Sequence, residues 1–274
     1  EAVLAHARER WPAPSAEVIT AEAQLGAALA DLGVFEGADP LFDSALAQLD
    51  RLGDAVDPLV RARTLNRRGV VDREAARYEA AAEHYARALV IAEGDPSVQA
   101  ELGGVLLSNL GQLSEATGRY KDAAEYHRRA LALREDQLDP LHPSVLTSMN
   151  NLAGNLDRLS RFEETTALYG ELVRRSEKVF GPSPALALYL NNAASAGKRW
   201  GRPKEAEPLQ RRALALLREH LGEDHRHVAM GYNNLANLLH DQGRTAEAVE
   251  LHRRALTMNR RIYGNEHDRT AGSL

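Results

Sequence analysis

Asparagine side chains recur along the chain at a fixed spacing, and their type and position suggest binding chemistry. From Asn151 to Asn192 is 41 residues, from Asn192 to Asn234 is 42, and a step of 42 back from Asn151 reaches Asn109. Three of these four follow another asparagine directly. The full set is Asn109, Asn150, Asn151, Asn191, Asn192, Asn233 and Asn234. A constant period of this length predicts a stacked repeat, with these amides at the same place in each unit.

Two interpretations account for this asparagine row. Asparagine is a middling helix former, so its recurrence within predicted helices requires a cause. A side-chain amide is both donor and acceptor, and a row of amides on the concave face can pair with the peptide groups of an extended ligand. Alternatively, the amides tie one repeat to the next by internal hydrogen bonds. Two adjacent asparagines point about 100° apart on a helix, so both interpretations can hold at once.

Basic residues follow the asparagines two turns further along the same helices. They are Arg158, Lys198 and Arg199, and His240 and Asp241 lie at the same level, so that end of the row is mostly basic. Their charge favours an acidic segment in the predicted peptide or protein ligand.

Other chemistry finds little support in the residues. The chain has no cysteine, which excludes disulfides, thiolate metal sites and a cysteine nucleophile. The sequence motifs of nucleotide-binding loops, zinc proteases and serine hydrolases are absent. His142, His225 and His267 stand in matching connectors, which predicts a structural role such as helix capping. We therefore expect no catalytic residue, no metal site and no cofactor, and the chain is predicted not to be an enzyme.

Charge and hydropathy limit the partners. The net charge of −5 argues against a general nucleic-acid binder. Residues 1–140 carry a net charge of −9 and residues 141–274 a net charge of +4. Such an uneven field can orient a charged partner, but drift among solvated faces also explains it and is the preferred interpretation. No apolar run approaches the roughly 18 residues of a membrane span, and no signal peptide is visible. We expect a cytoplasmic protein that binds neither membrane nor nucleic acid.

Helical periodicity interrupted by proline and glycine predicts about six antiparallel helix pairs and no strand. The predicted pairs are 16–32 with 37–52, 58–75 with 78–93, 97–116 with 120–138, 144–159 with 162–180, 185–200 with 203–221, and 227–242 with 245–263.

Aligned pairs share columns of small residues. One column predicts a close helix crossing, because glycine within a helix costs about 1 kcal/mol relative to alanine and needs a packing reason. Its members are Gly26, Gly69, Gly111, Ala153, Ala194 and Ala236. A second column, which contains Ala206, predicts another close contact. A turn column predicts positive φ and consists of Gly33, Gly118, Gly201 and Gly243.

These columns resemble the tetratricopeptide repeat, whose unit is 34 residues. The longer spacing, the Asn-Asn-Leu-Ala start and the ending from Leu221 to His225 resemble the repeats of kinesin light chains and their bacterial relatives. The resemblance covers nearly the whole chain and is strongest over 109–267. It implies an all-α fold, a right-handed α-solenoid. We expect a partial preceding helix in 1–18, the solenoid in 19–263 and a connector or tail in 264–274.

The expected function is a non-catalytic interaction module that binds a partner peptide or domain in its concave groove. The alternative is the sensor or regulatory arm of a larger bacterial signalling protein with an ATPase or protease partner. The absence of an initial methionine and a tail that restarts the connector favour a fragment. Apolar residues on the last helix predict end-to-end self-association. They are Val249, Leu251, Leu256 and Ile262.

Overall fold

A computed structural model describes residues 2–11 and 14–263, and within these ranges all regular structure is helical. Six antiparallel helix pairs follow a short first helix, which confirms the predicted all-α class. The helices are α1 (Ala2–Arg10), α2 (Ala16–Asp31), α3 (Phe35–Leu52), α4 (Pro58–Glu74), α5 (Tyr78–Gly94), α6 (Pro96–Val98), α7 (Gly104–Ala116), α8 (Tyr120–Gln137), α9 (Pro143–Arg158), α10 (Phe162–Phe180), α11 (Pro184–Arg199), α12 (Pro203–Leu221), α13 (Arg226–Asp241) and α14 (Thr245–Tyr263).

We number the pairs one to six from α2/α3 to α13/α14, with α6 and α7 together forming the first helix of pair three. The chain divides into two compact units, Glu1–Gln137 and Leu138–Leu274, which hold pairs one to three and four to six respectively. Within each unit, every pair stacks on its neighbour in sequence. The predicted division into 1–18, 19–263 and 264–274 stays a prediction, and 264–274 lies outside the described residues. None of the described helices is long and apolar enough to cross a membrane.

Most helix ends fall within one residue of their predicted positions. At the starts of the first helices, proline and capping side chains fix the boundary. The side chains of Ser15, Asp57 and Ser183 accept hydrogen bonds from backbone N–H groups at the starts of α2, α4 and α11. Helix α3 begins at Phe35, two residues before its predicted start. Gly37 lies in its first turn, where an added Cβ would come within 3.3 Å of Val34.

One predicted helix, 97–116, is interrupted. A short π-helical turn at Gln99–Gly103 separates α6 from α7. A Cβ on Gly103 would lie 2.9 Å from the Leu133 side chain, and one on Gly104 would lie 3.0 Å from Arg134. The two adjacent glycines therefore allow α8 to approach this turn closely.

The small column packs against a column of large side chains from the second helices. In unit 1 the contacts are so close that only glycine fits. A Cβ on Gly111 would lie 2.4 Å from the His127 ring. The equivalent pairs are Gly26 against Phe42 at 2.7 Å and Gly69 against Tyr85 at 2.6 Å. This confirms the predicted packing reason for these glycines. In pair five, a Cβ on Gly197 would lie 3.3 Å from that of Ala206, which confirms the close contact predicted at Ala206.

The turn column also adopts the predicted conformation. Gly33, Gly118, Gly201 and Gly243 have φ between 71° and 79°. Two turns reach the same left-handed region without glycine, at Ala76 and Ser160, each with φ of 58°. Residues with a Cβ pay a conformational penalty in this region.

The first helices share two further positions, one turn apart, at which leucine is the commonest residue. We call them the leucine positions. In order of pairs, their occupants are Leu25 and Leu29, Arg68 and Asp72, Leu110 and Ser114, Leu152 and Leu156, Ala193 and Gly197, and Leu235 and Leu239. In α9 and α13 both leucines are buried. Pairs two and five depart from this pattern at both positions.

Candidate functional site

Hydrogen bonds join the asparagine row from one repeat to the next in unit 2. Asn192 Nδ2 on α11 donates to Asn150 Oδ1 on α9 at 2.9 Å. Asn234 Nδ2 on α13 donates to Asn191 Oδ1 on α11 at 2.7 Å. The second asparagine of each repeat thus bonds the first asparagine of the repeat before it. These bonds agree with the second interpretation of the row, the internal tie.

Unit 1 contains the same tie, with a residue that the sequence reading missed. Asn109 Nδ2 on α7 donates to Asn66 Oδ1 on α4 at 2.8 Å. A further step of 42 residues back from Asn109 reaches Arg67, not an asparagine. The missed signal was that Asn66 precedes Arg67 as Asn150 precedes Asn151, so it holds the first position of its repeat.

The ties leave hydrogen-bonding capacity on the row. Each amide has two N–H donors and an oxygen with two lone pairs, and a tie uses one donor on one side and one lone pair on the other. All seven asparagines predicted as site residues are half-buried, so part of each remains in solvent. Two neighbours add local support. Asn233 Oδ1 lies 3.0 Å from His252 Nδ1, and the Asn151 backbone carbonyl accepts a hydrogen bond from Asn155.

Carboxylates pair with Arg199 and Lys198 of the predicted site. Arg199 pairs with Asp157, which is buried on α9. Lys198 Nζ lies 3.4 Å from Asp241 Oδ2 on α13. Arg158 is exposed. The positive charge at this end of the row is therefore smaller than the sequence suggests, and a preference for acidic ligands stays a prediction.

The connector histidines that the structure describes cap helices. Ser144 N–H donates to His142 Nδ1 at 3.2 Å at the start of α9, and His227 N–H donates to His225 Nδ1 at 3.2 Å at the start of α13. Their predicted structural role is confirmed, whereas His267 lies outside the described residues. Across residues 2–11 and 14–263, no group of three or more His, Asp or Glu side chains is arranged to hold a metal ion.

The apolar residues of α14 are only partly exposed. Val249 is 42% exposed, whereas Leu251, Leu256 and Ile262 are half-buried. End-to-end self-association stays a prediction.

Family comparison agrees with this architecture. A model described as Tetratricopeptide repeat matches residues 104–169, and a second with the same description matches 186–227 and 228–268, together more than half of the chain. The chain belongs to the tetratricopeptide repeat family. Repeats of this family form scaffolds for protein–protein interaction, and the fold is generally non-catalytic. A comparison with curated proteins finds no match.

Solved structures of similar fold include three informative examples. A putative kinesin light chain from Podosopora anserina, with nearly identical TPR-like repeats, is 20% identical, with a TM-score of 0.65 over 76% of this chain and 98% of that one. A Signal Transduction ATPase with Numerous Domains from Pyrococcus horikoshii, which has a tetratricopeptide repeat sensor, is 14% identical, with a TM-score of 0.74 over 94% of this chain and 40% of that one. A Rap protein complexed with Competence and Sporulation Factor is 14% identical, with a TM-score of 0.62 over 98% and 77%.

Proposed function

We propose that this chain is a non-catalytic module that holds an extended segment of a partner protein along the first helices of unit 2. The observation that carries the proposal is the row of half-buried asparagine amides on α9, α11 and α13. The ligand-contacting residues would be the second asparagines, Asn151, Asn192 and Asn234. The fold of the family supports the proposal, since the first helices of such a solenoid line its concave binding surface.

The spacing of the asparagine row allows it to bind the backbone of an extended ligand, whatever the ligand's side chains. An extended peptide presents a residue every ~3.3 Å, with polar groups along its whole length. Side-chain amides that repeat along α9, α11 and α13 can pair with several of these groups whatever the ligand sequence. The ties between Asn150 and Asn192 and between Asn191 and Asn234 fix the amides before the ligand arrives. Such preorganisation lowers the entropic cost of binding.

A second candidate is a sensor or regulatory arm within a larger signalling protein, with an ATPase or protease partner. The similarity to a signalling ATPase favours it, because this chain aligns with 40% of that protein. The two candidates are compatible, since a sensor arm also binds a ligand. A reading frame that continues into a catalytic domain would support this second candidate.

The test compares two matched triple variants that break the same kind of tie from opposite sides. Peptides are selected from a displayed random 15-residue library, and their affinities are measured by calorimetry. We expect Asn151→Ala, Asn192→Ala and Asn234→Ala together to weaken binding by about 2–4 kcal/mol, since each lost hydrogen bond costs roughly 0.5–1.5 kcal/mol.

The control combines Asn150→Ala, Asn191→Ala and Asn233→Ala, which also removes the ties but keeps the second asparagines. It should lose stability comparably and lose less affinity. Equal affinity losses in both triple variants would leave the row as an internal tie alone and would refute its role in binding.

A further inference from the structure

Apolar side chains recur on the exposed side of the first helices, one turn before the asparagine row. Val105 on α7, Leu188 on α11 and Met230 on α13 are 39%, 50% and 44% exposed. They are separated by 83 and 42 residues, and each stands four residues before an asparagine of the row. Single exposed apolar residues are ordinary, whereas recurrence at one repeat position is not scatter.

In unit 2 we call Leu188 and Met230 the apolar column. Residues four apart on a helix lie on the same face, so the column runs beside the second asparagines Asn192 and Asn234. On α9 the same position holds Thr147, which is also exposed and whose hydroxyl donates to a backbone carbonyl of its own helix at 3.0 Å. The first helices of unit 2 therefore present side chains at this level that make no demand for a polar partner.

The helix segments before the asparagines of pairs four and five carry no charge. No charged residue occurs from Pro143 to Asn151 on α9 or from Pro184 to Asn192 on α11. Pro143 and Pro184 are exposed and extend the apolar surface by one turn. Arg226 takes the equivalent place on α13. The solvent face of a helix usually carries charged and polar residues, so these uncharged segments favour an apolar ligand group.

The distance between neighbouring first helices sets the distance between the ligand groups. α9 contacts α11 and α11 contacts α13, and packed helices lie about 8–10 Å apart. A polyproline II segment has three residues per turn and a rise of about 3.1 Å, so side chains three residues apart share one face at about 9 Å. In a β-strand, side chains three residues apart point to opposite faces. Only the polyproline II form thus matches successive first helices with this spacing.

This conformation also leaves the ligand backbone free for the asparagine row. A polyproline II segment has no internal hydrogen bonds, so its carbonyl groups can accept hydrogen bonds from side-chain amides. The column and the row lie one turn apart on the same helices. Ligand side chains can therefore cover the column while the ligand backbone pairs with the row.

We infer that Leu188 and Met230 bind two apolar side chains, three residues apart, of a partner segment in the polyproline II conformation. The inference rests on the proposed function, because the same segment pairs its backbone with the second asparagines. It adds a preference for ligand side chains that the amide row alone does not provide.

Two peptides of identical composition test the spacing. Each consists of proline, glutamine and two leucines with blocked ends, and the leucines are three residues apart in the first peptide and four apart in the second. Isotope-labelled methionine methyl groups report the contact by NMR, since the chain has three methionines and Met149 and Met258 are buried. We expect the first peptide to shift the Met230 signal saturably and to bind roughly tenfold more tightly than the second.

Matched variants locate the contact, with affinities measured by anisotropy of a dye-labelled first peptide. Leu188→Gln with Met230→Gln should weaken binding about tenfold, and Leu188→Gln alone, about threefold, serves if the double variant does not fold. Val249→Gln makes the same kind of change at a 42% exposed position of α14 and should leave binding unchanged. Met230→Leu keeps an apolar group, so it should keep the affinity while its missing signal assigns the Met230 methyl.

Three outcomes would overturn the inference: equal affinities of the two peptides, an unshifted Met230 signal at saturation, or no binding of either peptide. If the library-selected peptides nevertheless depend on the second asparagines, the proposed function stands and only the inference fails. The triple variant of Asn151, Asn192 and Asn234 gives the converse. If it binds both the library peptides and the first peptide as tightly as the wild type, while the leucine spacing still matters, the side-chain contact stands and the proposed function fails.

Discussion

Pairs two and five depart from the same leucine pattern in opposite ways. In pair two, Arg68 and Asp72 stand where other first helices carry leucine, and the positions are filled with charge. In pair five, the small residues Ala193 and Gly197 occupy these positions, and both line a half-open cavity of about 250 Å³ between α10, α11 and α12. Two sites with the same place in the fold thus became a polar network in unit 1 and a cavity in unit 2.

The carboxylate of Asp72 lies at the centre of the polar network of pair two. Asp72 is fully buried, and its carboxylate lies 3.2 Å from Arg68 Nε, 2.9 Å from Arg77 Nε and 3.0 Å from His84 Nδ1. Arg68 and Arg77 also bond Asp39 on α3 at 2.9 Å and 2.8 Å. The network therefore fastens pair two to pair one.

The difference between pairs two and five shows two ways in which a repeat can replace the leucines of its neighbours. A charged pair can replace the leucines only if every group finds a partner, because an unpaired buried charge is costly. Small residues need no partners, but they leave a space that the neighbouring repeat fills with leucine. Pair two therefore gains a structural link, whereas pair five contains a cavity.

The largest effect on stability is expected from removing the Asp72 carboxylate, which lies at the centre of the network. Asp72→Ala should destabilise the protein by roughly 3 kcal/mol, the lower end of the cost of breaking a buried ion pair, since Arg68 and Arg77 lose the buried carboxylate but keep Asp39. Urea unfolding followed by fluorescence in a Trp200→Phe background, where only Trp11 of unit 1 reports, measures the loss. As a control, Asn109→Ala removes one amide tie in the same unit and should cost only about 0.5–1.5 kcal/mol. Equal losses of stability in the two variants would show that the charge network contributes no more than a single amide tie.

Acid should weaken the contribution of the pair-two network to stability. Burial alone would raise the pKa of Asp72, but His84, Arg68 and Arg77 together hold it below its ordinary value of 3.8. Because the folded pKa lies below the unfolded one, this contribution to stability is present above about pH 4 and is lost as the pH falls through the folded value. Urea midpoints between pH 5 and pH 2 should fall less steeply for Asp72→Asn than for the wild type. Parallel curves would contradict the lowered pKa.

The smallest expected effect concerns the turns, where both units face the same cost. Ser160 in unit 2 and Ala76 in unit 1 adopt a φ of 58°, which is unfavourable for residues with a Cβ by about 1–2 kcal/mol. Ser160→Gly and Ala76→Gly should each stabilise the protein by about 0.5–1 kcal/mol, after the greater flexibility of glycine in the unfolded chain is subtracted. Thermal unfolding measures both. A loss of stability in either variant would mean that its side chain makes a contact worth more than the strain.

The sequence predicted features that depend on local chemistry. Proline positions and the glycine turn column indicated the six pairs and the positive φ at Gly33 and Gly243, since these follow from backbone sterics. The caps at His142 and His225 followed from their recurrence in the connectors.

Features that depend on contacts between repeats were harder to predict. The tie from Asn109 to Asn66 depends on the first position of a repeat, whereas the spacing had drawn attention to the second. Asp72 gives no sequence signal of burial, because the network around it extends as far along the chain as Asp39. The cavity depends on what is missing at Gly197, and this becomes visible only when the packed neighbour is known.

The stacking of each pair on its neighbour has a consequence for synthesis in the cell. In unit 2, α9 packs on α10, α10 on α11, and each later helix on the one before it. Contacts between segments so close in sequence close short loops and form rapidly. Domains generally fold as units during synthesis, beginning at the N-terminus. We therefore expect unit 1 to complete its three pairs on the ribosome before the last helix of unit 2 has been translated.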